Sequence, residues 1–310
     1  MISFPRVRAL EPVQIPPNGD SHLPRFLLKD PACLSEEQLI VSLVGLYLIE
    51  FADGTRDAQA ILESLKEKIE ISADVSAVNS LLEALDKQYL LDNERARLRL
   101  AEINPRPVLH GSAGYPPGSL ELDNLVDDLL NLKPGMEGVE GFNFPRASVL
   151  PHIDFFRGRE AYQAGYRHLH DLKNATTVVI LGISHAYCRT PFILTRKDFA
   201  TPYGLAQTDQ SLVDELCRDL PFDPFLDEYN HIGEHSVEFH AVLLKRLAPS
   251  LKIVPVLCRS FHQAVRDHHS PLILPGVEPF RRALSGQRRS GTHGPQFRWL
   301  ATKPSVSRRA

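Results

Sequence analysis

The sequence predicts an α/β domain preceded by a small winged-helix-like α+β domain, and three observations carry that prediction. Between about Leu27 and Leu100, apolar residues recur at helical spacing. Further on, short β-branched runs alternate with amphipathic segments, the pattern of strands and crossover helices in a largely parallel sheet. A stretch rich in Pro and Gly, residues 101–118, separates the two regions. The expected organisation is an extended arm over residues 1–25, a winged-helix-like domain over 26–104, an α/β domain over 105–275, and an atypical, disordered basic tail over 276–310.

The arm holds five prolines and little periodicity. Ser35, with Gln38 three residues on, has the layout of a capping box before an apolar run. Asp53-Gly54 ends that run, and Thr55 is placed to cap a second helix whose Ala58, Ile61, Leu62, Leu65 and Ile69 share one face. A third helix repeats the pattern through Val75, Val78, Leu82, Leu85 and Tyr89. Leu90 to Leu100 then reads as a two-strand wing turning at Asp92-Asn93. In the second region a helix carries Leu122, Leu125, Val126, Leu129 and Leu130 on one face, and Pro134-Gly135 stops it. Ala147 to Leu150 is a short apolar strand running into Pro151-His152, and Arg159 to Leu172 is a helix. Thr176 to Gly182 and Ile253 to Leu257 are buried strands of the parallel type.

Composition narrows the function classes. A chain of 310 residues with a formal charge of −3 has no global attraction to nucleic acid or to an anionic membrane. Its longest apolar run, Leu39 to Ile49, is too short to span a bilayer, and the first residues lack a signal-peptide layout. Cys33, Cys188, Cys217 and Cys258 are scattered without a CxxC pair, so neither a disulfide framework nor a zinc knot is expected. A reducing, cytoplasmic location follows as the expectation. Thirteen histidines, most of them between residues 110 and 269, are the informative feature.

In parallel sheets ligands sit just beyond the carboxyl ends of strands. His152 and His185 each follow such an end, and both are candidate metal ligands. A third cluster is Gly233-Glu234-His235-Ser236-Val237-Glu238-Phe239-His240, where a helix would put Glu234 with Glu238 and His235 with Glu238 on shared faces. Imidazole suits zinc, copper or iron, and a carboxylate can orient a ligating ring or move protons. His231, His262, His268 and His269 read as structural or surface residues, His168 and His170 suit a helix C-terminus, and Cys188 reads as a small buried residue.

These residues occur in an order that resembles the Memo-like family, whose bacterial and archaeal members are called AmmeMemoRadiSam system protein B. The similarity runs through Pro151-His152, Leu181-Gly182-Ile183-Ser184-His185, Thr201-Pro202-Tyr203-Gly204, Glu234 to His240 and Ile253 to Leu257, with His110 to Pro116 as a worn form of the opening motif. It implies an α/β fold related to class III extradiol dioxygenases, an iron or copper cleft, and the company of a radical SAM protein. It also implies His152 and His185 as ligands, with His235, Glu238 and His240 on the bordering helix in catalytic, proton-handling or ligand-orienting roles. Asp154, two residues after His152, either ligates or caps the turn. The first domain is similar to PqqD-type peptide chaperones through Asp30-Pro31, Asp53-Gly54 and Leu90-Leu91, which implies a peptide or enzyme partner. Its residues alone read first as a helical domain that packs on its neighbour or dimerises, with DNA binding through the modest basic strip of Arg95, Arg97 and Arg99 as a third option. The end of the chain departs from the family. From Arg281 onward there are Lys and Arg but no Asp or Glu, and no counterpart of the family's later histidine and cysteine motifs. A reading frame shifted or cut near residue 285 is the expected cause, leaving the sheet without an inner strand.

Three functions fit this reading. The first is a metal-dependent redox enzyme using iron or copper, and the second is a non-catalytic module that binds a peptide or radical SAM partner. The third is a zinc hydrolase, since histidine and carboxylate ligands around an open position also activate water.

Overall fold

The computed structural model describes residues 3–16, 24–35, 37–132, 147–169, 172, 175–259 and 297–303. The chain divides into two compact units, Met1–Ile103 and Asn104–Ala310.

The first unit pairs β1 (Glu11–Ile15), β2 (Arg25–Lys29) and β3 (Leu39–Ser42) antiparallel in that order. Four helices follow: α1 (Leu43–Phe51), α2 (Ala58–Lys68), α3 (Val75–Lys87) and α4 (Glu94–Glu102). Each begins where a short polar side chain accepts an amide that the first turn leaves without a partner. The caps are Ser42, Asp57, Asp74 and Asn93. The periodic residues Ile61, Leu62, Leu65, Val78, Leu82 and Leu85 form the core. Asp30 of the Asp-Pro pair accepts a two-pronged ion pair from buried Arg8 and the amides of Ala32, Leu34 and Ser35.

Four sequence expectations are corrected in this unit. The arm is not wholly irregular, because Glu11–Ile15 pairs as β1. Ser35 does not open α1, since Leu39–Ser42 is a strand and Ser42 is the cap. Asp57, not Thr55, caps α2, while Thr55 bonds back to Asp53. The wing is absent, and α4 occupies its place. Asn93 caps that helix rather than turning a hairpin, and Ala96 and Leu100, four apart, bury one edge while the alternating arginines stay outside.

The second unit is built on a five-stranded sheet of order β4-β10-β5-β9-β6. Its strands are β4 (Ala147–Pro151), β5 (Thr177–Ser184), β6 (Phe192–Leu194), β9 (Lys252–Arg259) and β10 (Phe297–Lys303). Strands β4, β10, β5 and β9 are parallel, and β6 runs antiparallel at the edge. A hairpin, β7 (Phe199–Thr201) and β8 (Gly204–Ala206), stands apart. The helices are α5 (Gly111–Gly114), α6 (Ser119–Leu129), α7 (Arg159–Tyr166), α8 (Gln210–Cys217), α9 (Asn230–Gly233) and α10 (His235–Leu247). Alternation along the strands feeds both faces of the sheet. Val178, Ile180, Ile253 and Leu257 pack with α6, α7 and α10, whereas Val179, Val254 and Val256 pack with α8. Helix α10 comes very close to β5 at Gly182, where a Cβ would lie 2.6 Å from Ser236 Oγ and 2.9 Å from Val237. Ser236 Oγ in turn bonds the Ile183 amide and carbonyl, both at 3.1 Å.

The basic tail is also corrected. Phe297–Lys303 forms the inner strand β10 between β4 and β5, the position the sequence reading leaves vacant. Its apolar residues are hidden in composition by basic flanks, and an inner strand pairs its backbone on both sides. The other tail residues, 276–296 and 304–310, lie outside the described residues, as do His170, His262, His268, His269 and His293. Among the described residues no helix is long and apolar enough to cross a membrane.

His231 on α9 is fully buried and donates its Nε2–H to the Ile193 carbonyl at 3.1 Å. Burial is the main cause that lowers its pKa to about 3. The unfolded chain protonates this ring near pH 6.5, so between those values the unfolded state binds more protons. Stability from burying the neutral ring is therefore complete above pH 6.5 and falls as pH drops, by up to about 1.4 kcal/mol per pH unit. His231→Gln should flatten the acid limb of urea-unfolding free energies measured from roughly pH 7 to pH 4. An acid limb as steep as that of wild type would place the acid sensitivity elsewhere.

Candidate functional site

Strand β4 hands the chain to His152, β5 hands it to His185, and α10 starts at His235. The fold brings these three rings together. One nitrogen from each lies within 4.8 Å of the others. Ring centroids are 5.4 Å apart for His152 and His185, 5.6 Å for His152 and His235, and 4.7 Å for the stacked pair His185 and His235. His152 is buried, while the His185 side chain is 50% exposed, so the cluster has a closed floor and an open side among the described residues.

Glu234 holds this arrangement. Its backbone is extended, it caps α10 by accepting the Ser236 amide, and it accepts the His185 amide at 3.0 Å. The same carboxylate takes the His185 Nδ1–H at 3.0 Å and stands 3.3 Å from His235 Nδ1. Burial, the largest effect, raises its pKa, but the hydrogen bonds and charge of His185 with the charge of His235 outweigh it and bring the value to about 2. Holding Nδ1–H this way leaves Nε2 of His185 as the lone-pair nitrogen for a ligand. His152 is pushed down to about 4, first by burial and then by its two neighbouring rings. Its Nδ1 is buried without a hydrogen-bond partner among the described residues.

Glu238 and His240 face elsewhere. One turn along α10, the Glu238 carboxylate meets the buried Arg106 guanidinium, the His110 amide at 3.0 Å, His110 Nδ1 at 2.7 Å and Tyr115 Oη at 3.1 Å. Burial, the largest effect, raises its pKa, but the hydrogen bonds of His110 and the charge of Arg106 outweigh it and bring the value to about 2. Through His110, whose ring centroid is 5.5 Å from that of His235, Glu238 touches the edge of the cluster without entering it. His240 is fully buried on another face, with Nδ1 2.9 Å from Tyr166 Oη, and burial then the nearby His152 bring it to about 3. Asp154 caps its turn by accepting the Arg157 amide, and Cys188 is buried with its thiol on the Ala186 carbonyl. Arg106 and Tyr115 were not singled out by the sequence reading, because they fall in a Pro- and Gly-rich stretch that reads as a linker. The signal available was an arginine beside Pro107 and the worn His110 to Pro116 motif.

A family model described as Memo-like protein matches residues 106–273, more than half of the chain. A MEMO1 family protein of Aquifex aeolicus is 28% identical over 293 residues, which cover 88% of this chain and 74% of that protein. A MEMO1 family protein of Thermus thermophilus is 25% identical over 207 residues, 65% of this chain and 62% of the relative. A second Aquifex aeolicus protein of that name is 30% identical over 146 residues, 46% of this chain and 51% of its own length. The matched region thus spans between half and three-quarters of these relatives.

The Glu238 cluster generates a stability test. Arg106 is fully buried, and Glu238→Ala would leave its charge without a carboxylate. Loss of about 3–5 kcal/mol in urea unfolding is expected. A loss below about 1 kcal/mol, the scale of an exposed pair, would show that the pair is solvated in the native protein.

Proposed function

The chain belongs to the Memo-like family, and we propose that it is a metal-dependent redox enzyme in which His152, His185 and His235 hold one iron or copper ion. The observation that carries this reading is the convergence of three imidazole nitrogens within 4.8 Å from two strand ends and a helix start. The residues fit such an ion. An all-imidazole donor set suits iron, copper and zinc, the buried His152 Nδ1 has no hydrogen-bond partner among the described residues, and Glu234 already orients His185 through its other nitrogen. A bound iron or copper supplies redox chemistry with coordination positions left for substrate or oxygen.

The protein's own groups have separate tasks in this reading. Glu234 keeps His185 in one tautomer and holds His235 beside it. Glu238 fixes His110 at the cluster edge, with Nδ1–H engaged and the other ring nitrogen left to accept a proton from whatever occupies the cleft. His240 and Tyr166 form the buried backing behind His152 rather than part of the cleft. This reading keeps the kinship with class III extradiol dioxygenases that the sequence resemblance implies. Zinc in the same ligands would instead favour hydrolysis.

One observation favours a second reading, that of a module that docks a peptide or a radical SAM partner. The first unit carries an apolar groove of about 290 Å³ lined by Ile40, Val41, Val44, Leu48 and Leu81.

Metal analysis separates these readings. Wild type is expected to carry close to one iron or copper per chain, and His152→Ala/His185→Ala to carry none while staying folded. His235→Ala should also lose metal, which distinguishes a ligand from a bordering residue. Stoichiometric zinc alone would move the assignment to hydrolysis. A folded wild type that takes up no metal after reconstitution would sink the enzyme reading in favour of the docking module.

A further inference from the structure

We propose that Arg106 is the positioning residue of the histidine cluster. From outside the cluster it holds the backbone break between α9 and α10, and so sets how tightly the three histidines grip a metal. This inference rests on the metal-site reading given above.

The backbone of Arg106 is pinned first. Its amide donates to the Asp198 carbonyl at 2.7 Å, and its own carbonyl accepts the Ala200 amide at 2.8 Å, so the residue is bridged onto β7. Its side chain is fully buried. Nε donates to the His231 carbonyl at 3.1 Å, and Nη2 donates to the Glu234 carbonyl at 2.9 Å. Nη1 donates to the Pro107 carbonyl at 2.8 Å and to the Glu238 carboxylate. Three nitrogens of one planar fork thus reach acceptors before, at and after the break.

That break matters to the site. The last turn of a helix leaves carbonyls without intrahelical partners, and Arg106 takes that of His231 at the end of α9, together with the carbonyl of Glu234, the residue that caps α10. At Glu234 the backbone is extended, with φ −90° and ψ 131°. The side chain can therefore turn back to cap α10 and reach His185, and His235 becomes the first residue of α10. A continuous helix from α9 into α10 would carry the Glu234 carboxylate away from both. Holding the two carbonyls is what keeps Glu234 in the conformation that orients two of the three rings.

The competing explanation is that Arg106 only neutralises Glu238. The two roles demand different chemistry. Neutralisation needs one positive charge, whereas positioning needs the fork. Lysine keeps the charge but offers a single nitrogen. Replacing both members of a buried ion pair by apolar groups of similar size is often close to neutral for stability, yet it also removes the fork.

The test uses the full chain, with Co²⁺ as the probe, in wild type, Arg106→Lys and Arg106→Met/Glu238→Met. Affinity is read by chelator competition, ligand geometry by the visible Co²⁺ bands, and folding by circular dichroism and urea unfolding. Two-bond ¹H–¹⁵N histidine spectra of the apoprotein at neutral pH report the tautomer of His185. Both variants should unfold cooperatively and lose about 10–100-fold in Co²⁺ affinity, the usual effect of removing a group that orients a ligand. Their Co²⁺ bands should shift, and His185 should no longer hold a single Nδ1–H tautomer. A folded variant with wild-type affinity, bands and tautomer would overturn the proposal and leave Arg106 as a charge partner alone. If wild type itself takes no Co²⁺, the metal-site reading fails, and the His185 tautomer still judges Arg106: kept in the variants it refutes positioning, and lost it supports it.

Discussion

The Glu234 carboxylate accepts hydrogen bonds from the Ser236 amide, the His185 amide and His185 Nδ1–H, and lies beside His235 Nδ1. A helix start, a strand end and two rings of the cluster are therefore referred to one buried anion. Because that anion is nine-tenths or more out of solvent, leaving any of these donors unmet would be costly, and the geometry is correspondingly narrow. The close approach of α10 to β5 at Gly182, with Ser236 Oγ clipped to both polar groups of Ile183, puts the carboxylate within reach.

Two buried carboxylates four residues apart would repel if both lay on one helix face. The protein separates them. Glu234 stands outside α10 as its cap and answers to His185 and His235, whereas Glu238 stands inside and answers to Arg106, His110 and Tyr115. Each has its own donors, so both remain ionised despite burial. Arg106 links the two systems, since its fork reaches the backbone of one residue and the side chain of the other.

Where the sequence was hard to read, local and tertiary signals competed. The segment from Glu94 to Glu102 alternates arginines with small and apolar residues, which suits a strand. Asn93 nevertheless caps a helix, because Ala96 and Leu100 find a core to bury in. Ser35 and Gln38 have a capping spacing, yet Leu39–Ser42 pairs with β2 and moves the cap to Ser42. Phe297–Lys303 sits in strongly basic surroundings, so composition argued against a strand that the sheet places inside, between β4 and β5. In the last case the deciding partners, β4 and β5, are remote in sequence.

His152 and His185 were legible as candidates because each follows a β-branched or apolar run, and the fold brings their rings into one cluster at those strand ends. The helical face of α3 and the strands β5 and β9 were legible for a similar reason, as periodicity and β-branching act locally. Only the tertiary structure decided that His235 joins those two rings while Glu238 and His240 do not. His235 and Glu238 share one flank of the helix and His240 lies on another, and which residue reaches the cleft depends on how α10 docks against β5. The contacts of Arg106 were likewise invisible along the chain, since its acceptors at His231, Glu234 and Glu238 lie 125 to 132 residues away and meet it only once the fold is closed.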